Sequence, residues 1–215
     1  MSRREELLDD LVAELEPVST PDLRLLVGGW LLLSALYVVV LTHWVGPIRP
    51  TALEQLHTHP RFLGEMIIGG LVTAGLAVSA FRAAVPGAVS AAWTLGLSLP
   101  GALWVGSFLV GMVTPALEPS MLGKREHCYL ETFLYALPPM LAALYWQRRL
   151  YPLSPGRSAA LAGLAAGAMP ALYMQIACMY EPGHILLFHI GPGITVALVA
   201  PALLLALRKL RVSRG

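Results

Sequence analysis

The chain has 215 residues, of which 56% are hydrophobic and only 13% charged, and its formal net charge is +2. A soluble domain carries roughly 25% charged residues, and here the shortfall falls in recurring uncharged runs of about 20 residues, the length one helix needs to cross hydrocarbon. No basic stripe with interleaved aromatics points to nucleic acid, and two cysteines are too few for a disulfide scaffold, though enough for one bridge or half a metal site.

The first 22 residues hold seven acids and no apolar h-region, so they are not a secretory signal peptide and the first span is expected to be an uncleaved anchor. Residues 2–16 read as a short amphipathic helix. Ser2 and Glu5 fit a capping box. Leu7, Leu8, Leu11, Val12 and Leu15 form one apolar face at helical spacing. Glu5, Glu6, Asp9, Asp10, Glu14 and Glu16 cover the rest, and Pro17 ends the helix. A lone helix of this length is marginal in water, so its leucine stripe needs a partner. Membrane-surface helices are usually basic; this one is acidic, so lipid is the weakest partner and another protein or its own membrane domain the better ones.

Six apolar spans follow, at about 24–45, 62–81, 88–113, 128–146, 158–178 and 184–206. The expected fold is all-α: a six-helix transmembrane bundle (residues 23–215) behind a short acidic tail (residues 1–22). The fifth span is rich in small residues, with Gly163 and Gly167 four apart among alanines. Such faces let helix backbones approach closely, which places this helix at the bundle centre. Pro100, Pro138, Pro139, Pro170, Pro192 and Pro201 lie within spans and are expected to bend them.

Lys and Arg counts orient the spans. With the N-terminus inside, the cytoplasmic side holds eleven of them: Arg3, Arg4, Arg24, Arg82, Arg148, Arg149, Arg157, Arg208, Lys209, Arg211 and Arg214. The outer side holds four, Arg49, Arg61, Lys124 and Arg125, so both termini are expected in the cytoplasm. On this topology all six histidines (His43, His57, His59, His127, His184 and His189) fall at or near the outer face. So do Cys128, Cys178 and the six acids beyond the tail: Glu54, Glu65, Glu118, Glu126, Glu131 and Glu181.

Thiols, imidazoles and carboxylates gathered on one face bind soft or borderline metals or undergo redox change. The candidate metal ligands are Cys128, Cys178, His127 and His184. Against that stand plainer readings. Interface histidines are common, the cysteines can be inert small hydrophobes, and Cys178 to His184 is not a standard zinc spacing. Glu65, the acid set well inside a span, is a functional candidate, though it lies close enough to the interface to be merely solvated.

An acidic leucine-bearing tail opens the chain. "HPRF" (His59 to Phe62) precedes the second span, and a cysteine begins the fourth, which runs on to "LPP" (Leu137 to Pro139). "GLAAGA" (Gly163 to Ala168) lies in the fifth, which ends in the second cysteine. In this order and spacing the chain resembles the NrsF-type negative regulators of extracytoplasmic-function (ECF) sigma factors, anti-sigma proteins of the bacterial inner membrane. The resemblance implies that Cys128 and Cys178 are the signal-responsive pair. It also implies that the cytoplasmic tail helps hold the sigma factor, with Leu7, Leu8, Leu11, Val12 and Leu15 as the apolar contact and Asp9, Asp10 and Glu14 facing basic surface. On this reading the protein is not an enzyme and requires no cofactor; a transition or heavy metal ion at the cysteine pair is the candidate ligand.

Two other classes compete. A membrane redox or haem protein, or a thiol–disulfide carrier, would use histidines within spans, His43 and His189 first, and the outer thiols. Against it, the sequence contains no Cys-x-x-Cys. A small solute transporter would need matched charges at the midplane and an internal repeat, and neither is found.

Overall fold

The structure is a computed structural model that describes residues 12–13, 21–86 and 88–212. The acidic tail therefore lies outside the described residues, apart from Val12 and Ala13, which are helical and exposed. The helices are α1 (Leu23–Val45), the short α2 (Ala52–Thr58), α3 (Pro60–Arg82), α4 (Ala91–Gly111), α5 (Cys128–Arg148) and α6 (Pro155–Ala177). The last element opens at Pro182–His184, widens into a π-helical turn at Ile185–Ile190 and continues as α7 (Gly191–Val212).

Helix boundaries follow local chemistry. Asp22 caps α1 by accepting from the Arg24 N–H at 2.8 Å, and Ser90 does the same for α4 with Trp93 at 3.1 Å. Pro60 and Pro155 open α3 and α6, in the first turn where a missing N–H costs nothing. Along α1 the buried residues are Val27, Trp30, Ser34, Val38 and Thr42, a stripe at helical spacing. Leu25, Leu32, Leu33, Leu36 and Val40 of the same helix are exposed. An apolar exterior of this kind suits hydrocarbon rather than water.

Four helices are long and apolar enough to cross a membrane: Leu23–Val45, Pro60–Arg82, Pro155–Ala177 and Pro182–Ala206. The expected third and fourth spans are different. The apolar part of α4, Leu95–Gly111, is shorter, and α5 carries Glu131, Pro138, Pro139 and Gln147 within its run. The composition and helix lengths are those of a membrane protein with at least these four candidate spans among the described residues.

The bundle is arranged around α6, which packs against α7, α3, α5 and α1 and is the most buried of the four candidate spans. Its glycines explain how α7 comes so close. A Cβ placed on Gly167 would lie 2.4 Å from Gly193 Cα, and one on Gly163 would lie 2.6 Å from the Val196 carbonyl oxygen. Both obstacles are backbone and cannot swing away. At the far side of α6, Trp30 of α1 donates to the Pro139 carbonyl of α5 at 3.0 Å and meets Phe81 edge-on at 5.9 Å.

The two ends of the bundle differ. At one end Gln147, fully enclosed, donates to the carbonyls of Ala80 (2.8 Å) and Ser158 (3.0 Å), tying α5 to α3 and α6. A groove of about 610 Å³ opens there between α1 and α3, with Leu23, Val27, Leu31 and Val78 in its wall and Arg24 and Arg82 alongside. The other end gathers the loops before α2 and α5 and after α6, and holds both cysteines.

Gly167→Val is expected to cost about 2–3 kcal/mol or more, as overpacking against backbone does, measured as thermal unfolding of the purified protein in detergent. Gly28→Ala, where nothing lies within 4 Å of the added carbon, is expected to be neutral or to stabilise by up to about 1 kcal/mol. Equal effects at the two sites are incompatible with a close α6–α7 crossing.

Candidate functional site

Cys128 is the first residue of α5, and Cys178 is the residue just past the end of α6. The Cys178 N–H still bonds to the Met174 carbonyl at 2.8 Å, while its backbone has turned extended, so the side chain leaves the helix axis. The two Sγ atoms lie 2.8 Å apart. Both residues are buried, at 2% and 0% exposure. The Arg125 carbonyl lies 3.4 Å from Cys128 Sγ, a second acceptor beside Cys178.

Two arginines hold the ends of these helices. The Arg125 guanidinium pairs with Glu131 at 2.6 Å and donates to the Pro47 carbonyl at 2.8 Å, so the start of α5 is fastened to the loop after α1. Arg49 closes α6: its backbone N–H donates to the Ala177 carbonyl at 3.1 Å, and its guanidinium donates to the Gln175 carbonyl at 3.0 Å. The last carbonyls of a helix have no partner within the helix and carry the negative end of its dipole; a buried cation answers both needs. The Arg49 guanidinium also lies 5.4 Å from the Phe62 ring centroid and 5.9 Å from that of Tyr180, within cation–π range.

The segment after Cys178 completes the enclosure. Tyr180 is buried and donates to the Glu65 carboxylate at 3.0 Å, while its oxygen accepts from the Ala116 N–H at 3.3 Å. Burial and the neighbouring carboxylate push the Tyr180 phenol well above its ordinary range. Glu65 is 2% exposed, so the interface acid of the sequence is a buried, hydrogen-bonded group rather than a solvated one. Glu181 caps the next helical turn by accepting from the N–H groups of Gly183 (3.0 Å) and His184. This fixes His184, whose Nε2 lies 3.6 Å from Cys178 Sγ.

Of the four candidate ligands in the sequence, Cys128, Cys178 and His184 come together. His127 does not; its side chain is exposed at the N-cap of α5. His189 takes the fourth place. Ligand atoms of Cys128, Cys178, His184 and His189 all lie within 4.8 Å of one another. His43, the other histidine singled out, is exposed and meets the Val39 carbonyl at 2.9 Å and the Tyr173 hydroxyl at 3.3 Å. Cys178, one residue beyond α6, is the sulfur held toward thiolate. Cys128 donates to it, which outweighs the penalty of burial, and the His184 imidazole adds to the effect.

These features define a helical protein with membrane-length apolar helices and a thiol–imidazole cluster sealed into one end. The family NrsF, described as negative regulator of sigma F, matches residues 11–211. The chain belongs to this family of negative regulators of a sigma factor. No curated protein and no solved structure matches it.

Tyr180→Phe leaves the buried Glu65 carboxylate without this donor and is expected to cost about 1–3 kcal/mol, read from thermal unfolding in detergent. Glu65→Gln keeps an acceptor for the phenol and is expected to cost less. If the order is reversed, the tyrosine–carboxylate bond is not what secures this end.

Proposed function

We propose that the protein is an anti-sigma factor of the bacterial inner membrane that sequesters an ECF sigma factor and releases it when Cys128 and Cys178 sense metal or oxidative stress. In this reading the chain crosses the bilayer six times with both termini in the cytoplasm. The cysteines face the periplasm, and residues 1–22 are the sigma-binding tail. Family membership supports the regulatory role. The observation that carries the sensor is the 2.8 Å separation of two buried sulfurs contributed by the ends of two adjacent helices. Such a pair responds to a soft metal or an oxidant by changing its own spacing.

In the resting state the tail offers Leu7, Leu8, Leu11, Val12 and Leu15 to a groove on the sigma factor, with Asp9, Asp10 and Glu14 against basic surface. Ligation or oxidation of the thiols then moves the start of α5 relative to the end of α6. Both helices run to the opposite end, where Gln147 joins them and Arg148, Arg149 and Arg157 lie. The released tail folds onto its own chain at the groove between α1 and α3, whose apolar wall and Arg24 and Arg82 complement leucines and carboxylates. A switch from 1:99 to 99:1 requires about 5.5 kcal/mol of discrimination between states, within reach of a metal–thiolate or disulfide bond.

Cys128→Ser and Cys178→Ser, singly and together, are expected to abolish induction of the target promoter by stress while leaving basal repression intact. Normal induction in the double variant overturns the sensor assignment. Deletion of residues 1–22 is expected to abolish co-purification of the sigma factor; undiminished capture moves the contact to the loops beside Arg82 and Arg148.

A further inference from the structure

Each residue of an α-helix turns the chain by about 100°, so residues five apart point about 140° away from each other. His184 and His189 are five apart, yet their ring centroids lie 5.0 Å from one another with the planes at 89°. The cause is the π-helical turn at Ile185–Ile190 between them. Bonding from each residue to the fifth along widens the turn and returns residues five apart to nearly the same face; the Gly191 N–H on the Leu186 carbonyl is one such bond. Pro192 follows directly and brings no N–H, so the helix changes register where one donor is absent anyway. Single π turns of this kind occur frequently at functional sites.

His189 is the telling member. It is completely buried, and neither ring nitrogen makes a hydrogen bond of ordinary geometry among the described residues; its polar interaction is with the Cys178 sulfur. Buried polar groups are normally satisfied, and leaving one unpaired is costly. Here the ring stands in a cluster whose other members are two sulfurs and a second imidazole, all within 4.8 Å. His184 is oriented independently by stacking on Phe188 at 4.7 Å and by its backbone bond to Glu181.

We propose that Cys128, Cys178, His184 and His189 form a four-ligand S2N2 centre for a divalent ion of the zinc class, and that the π turn is what assembles it. This rests on the reading of the cysteine pair as the sensor and names the ligand that the sensor takes. Two sulfurs and two imidazole nitrogens are a tetrahedral set for zinc, cadmium or cobalt, and offer nothing to magnesium or calcium, which require oxygen. The charge also balances. Each thiol gives up its proton on binding, and two thiolates with two neutral imidazoles make an uncharged complex with a dication, as a buried apolar site demands. Metal–sulfur bonds of about 2.3 Å at tetrahedral angles set the sulfurs about 3.8 Å apart. They now lie 2.8 Å apart, so loading spreads the start of α5 from the end of α6 by about 1 Å.

The test is a cobalt(II) titration of the full chain, purified in detergent with its thiols reduced. The expected result is one ion per chain, with the intense visible bands of tetrahedral cobalt and thiolate-to-metal charge transfer, both lost on adding zinc or cadmium. His189→Ala is expected to weaken binding at least about tenfold and His127→Ala to leave it unchanged. Should His189→Ala fail to fold, His184→Ala, at the less buried position, carries the same comparison. Absence of the charge-transfer band, an octahedral cobalt spectrum, or equal affinity in the histidine variants and the parent overturns the centre. That failure leaves a redox-only cysteine sensor standing if the Cys→Ser variants still lose induction. Tight tetrahedral binding together with normal induction in those variants keeps the centre and removes its role in signalling.

Discussion

At the crossing of α6 and α7 backbone meets backbone: Gly167 faces Gly193, and Gly163 faces the chain at Val196 and Ala197. Helices in a bilayer gain no hydrophobic advantage from associating, because lipid tails are as apolar as leucine; close backbone packing takes its place. Once α6 and α7 are in contact along their small faces, α3 and α5 cover the remaining sides of α6. The crossing also fixes a distance along the axis. Gly193 lies just after the π turn, so the same contact that joins the helices sets the two imidazoles level with the end of α6, where Cys178 leaves it.

The end that holds the thiols is closed by buried polar groups set among apolar ones such as Phe62, Leu117, Met179 and Ile185. Arg49, Arg125, Glu65 and Tyr180 are all buried, and each has a partner of opposite character: carbonyls, a carboxylate or a phenol. Interactions of this kind are directional and cannot slide. They hold the chain segments around the sulfurs in one register. On the proposed metal loading, the sulfurs, now closer than a tetrahedral ion would set them, would draw the two helix ends apart.

Much of this was legible in the sequence. The helices fall where uncharged runs predict them, and the Gly163–Gly167 spacing marks α6 as the central element. Alternation of the spans brings Cys128 and Cys178 to one end although fifty positions separate them. The site was legible only in part, for physical reasons. His127 is next to Cys128 in the chain, but it precedes α5 with non-helical backbone, and its side chain faces outward. His189 is hidden from any reading at α-helical period, because it reaches the cluster only through the π turn; Gly191-Pro192-Gly193 is the one local sign that regular geometry breaks there. Arg49 and Arg125 count in the sequence as two outer charges, whereas in the fold they are buried caps. Of the two helices expected as spans that fall short of the candidate criteria, α5 shows how a helix packed among neighbours can carry prolines and polar groups in its run.

The Arg125 bond to the Pro47 carbonyl joins the start of α5 to the far end of α1. α1 has 23 residues and so is a stiff rod about 35 Å long, held about a third of the way along by the Trp30 bond to the Pro139 carbonyl. Its other tip, at Leu23, is the point from which the acidic arm departs. In the proposed switch, α1 thus offers the sulfurs a route to that arm along the side of the bundle rather than through α6.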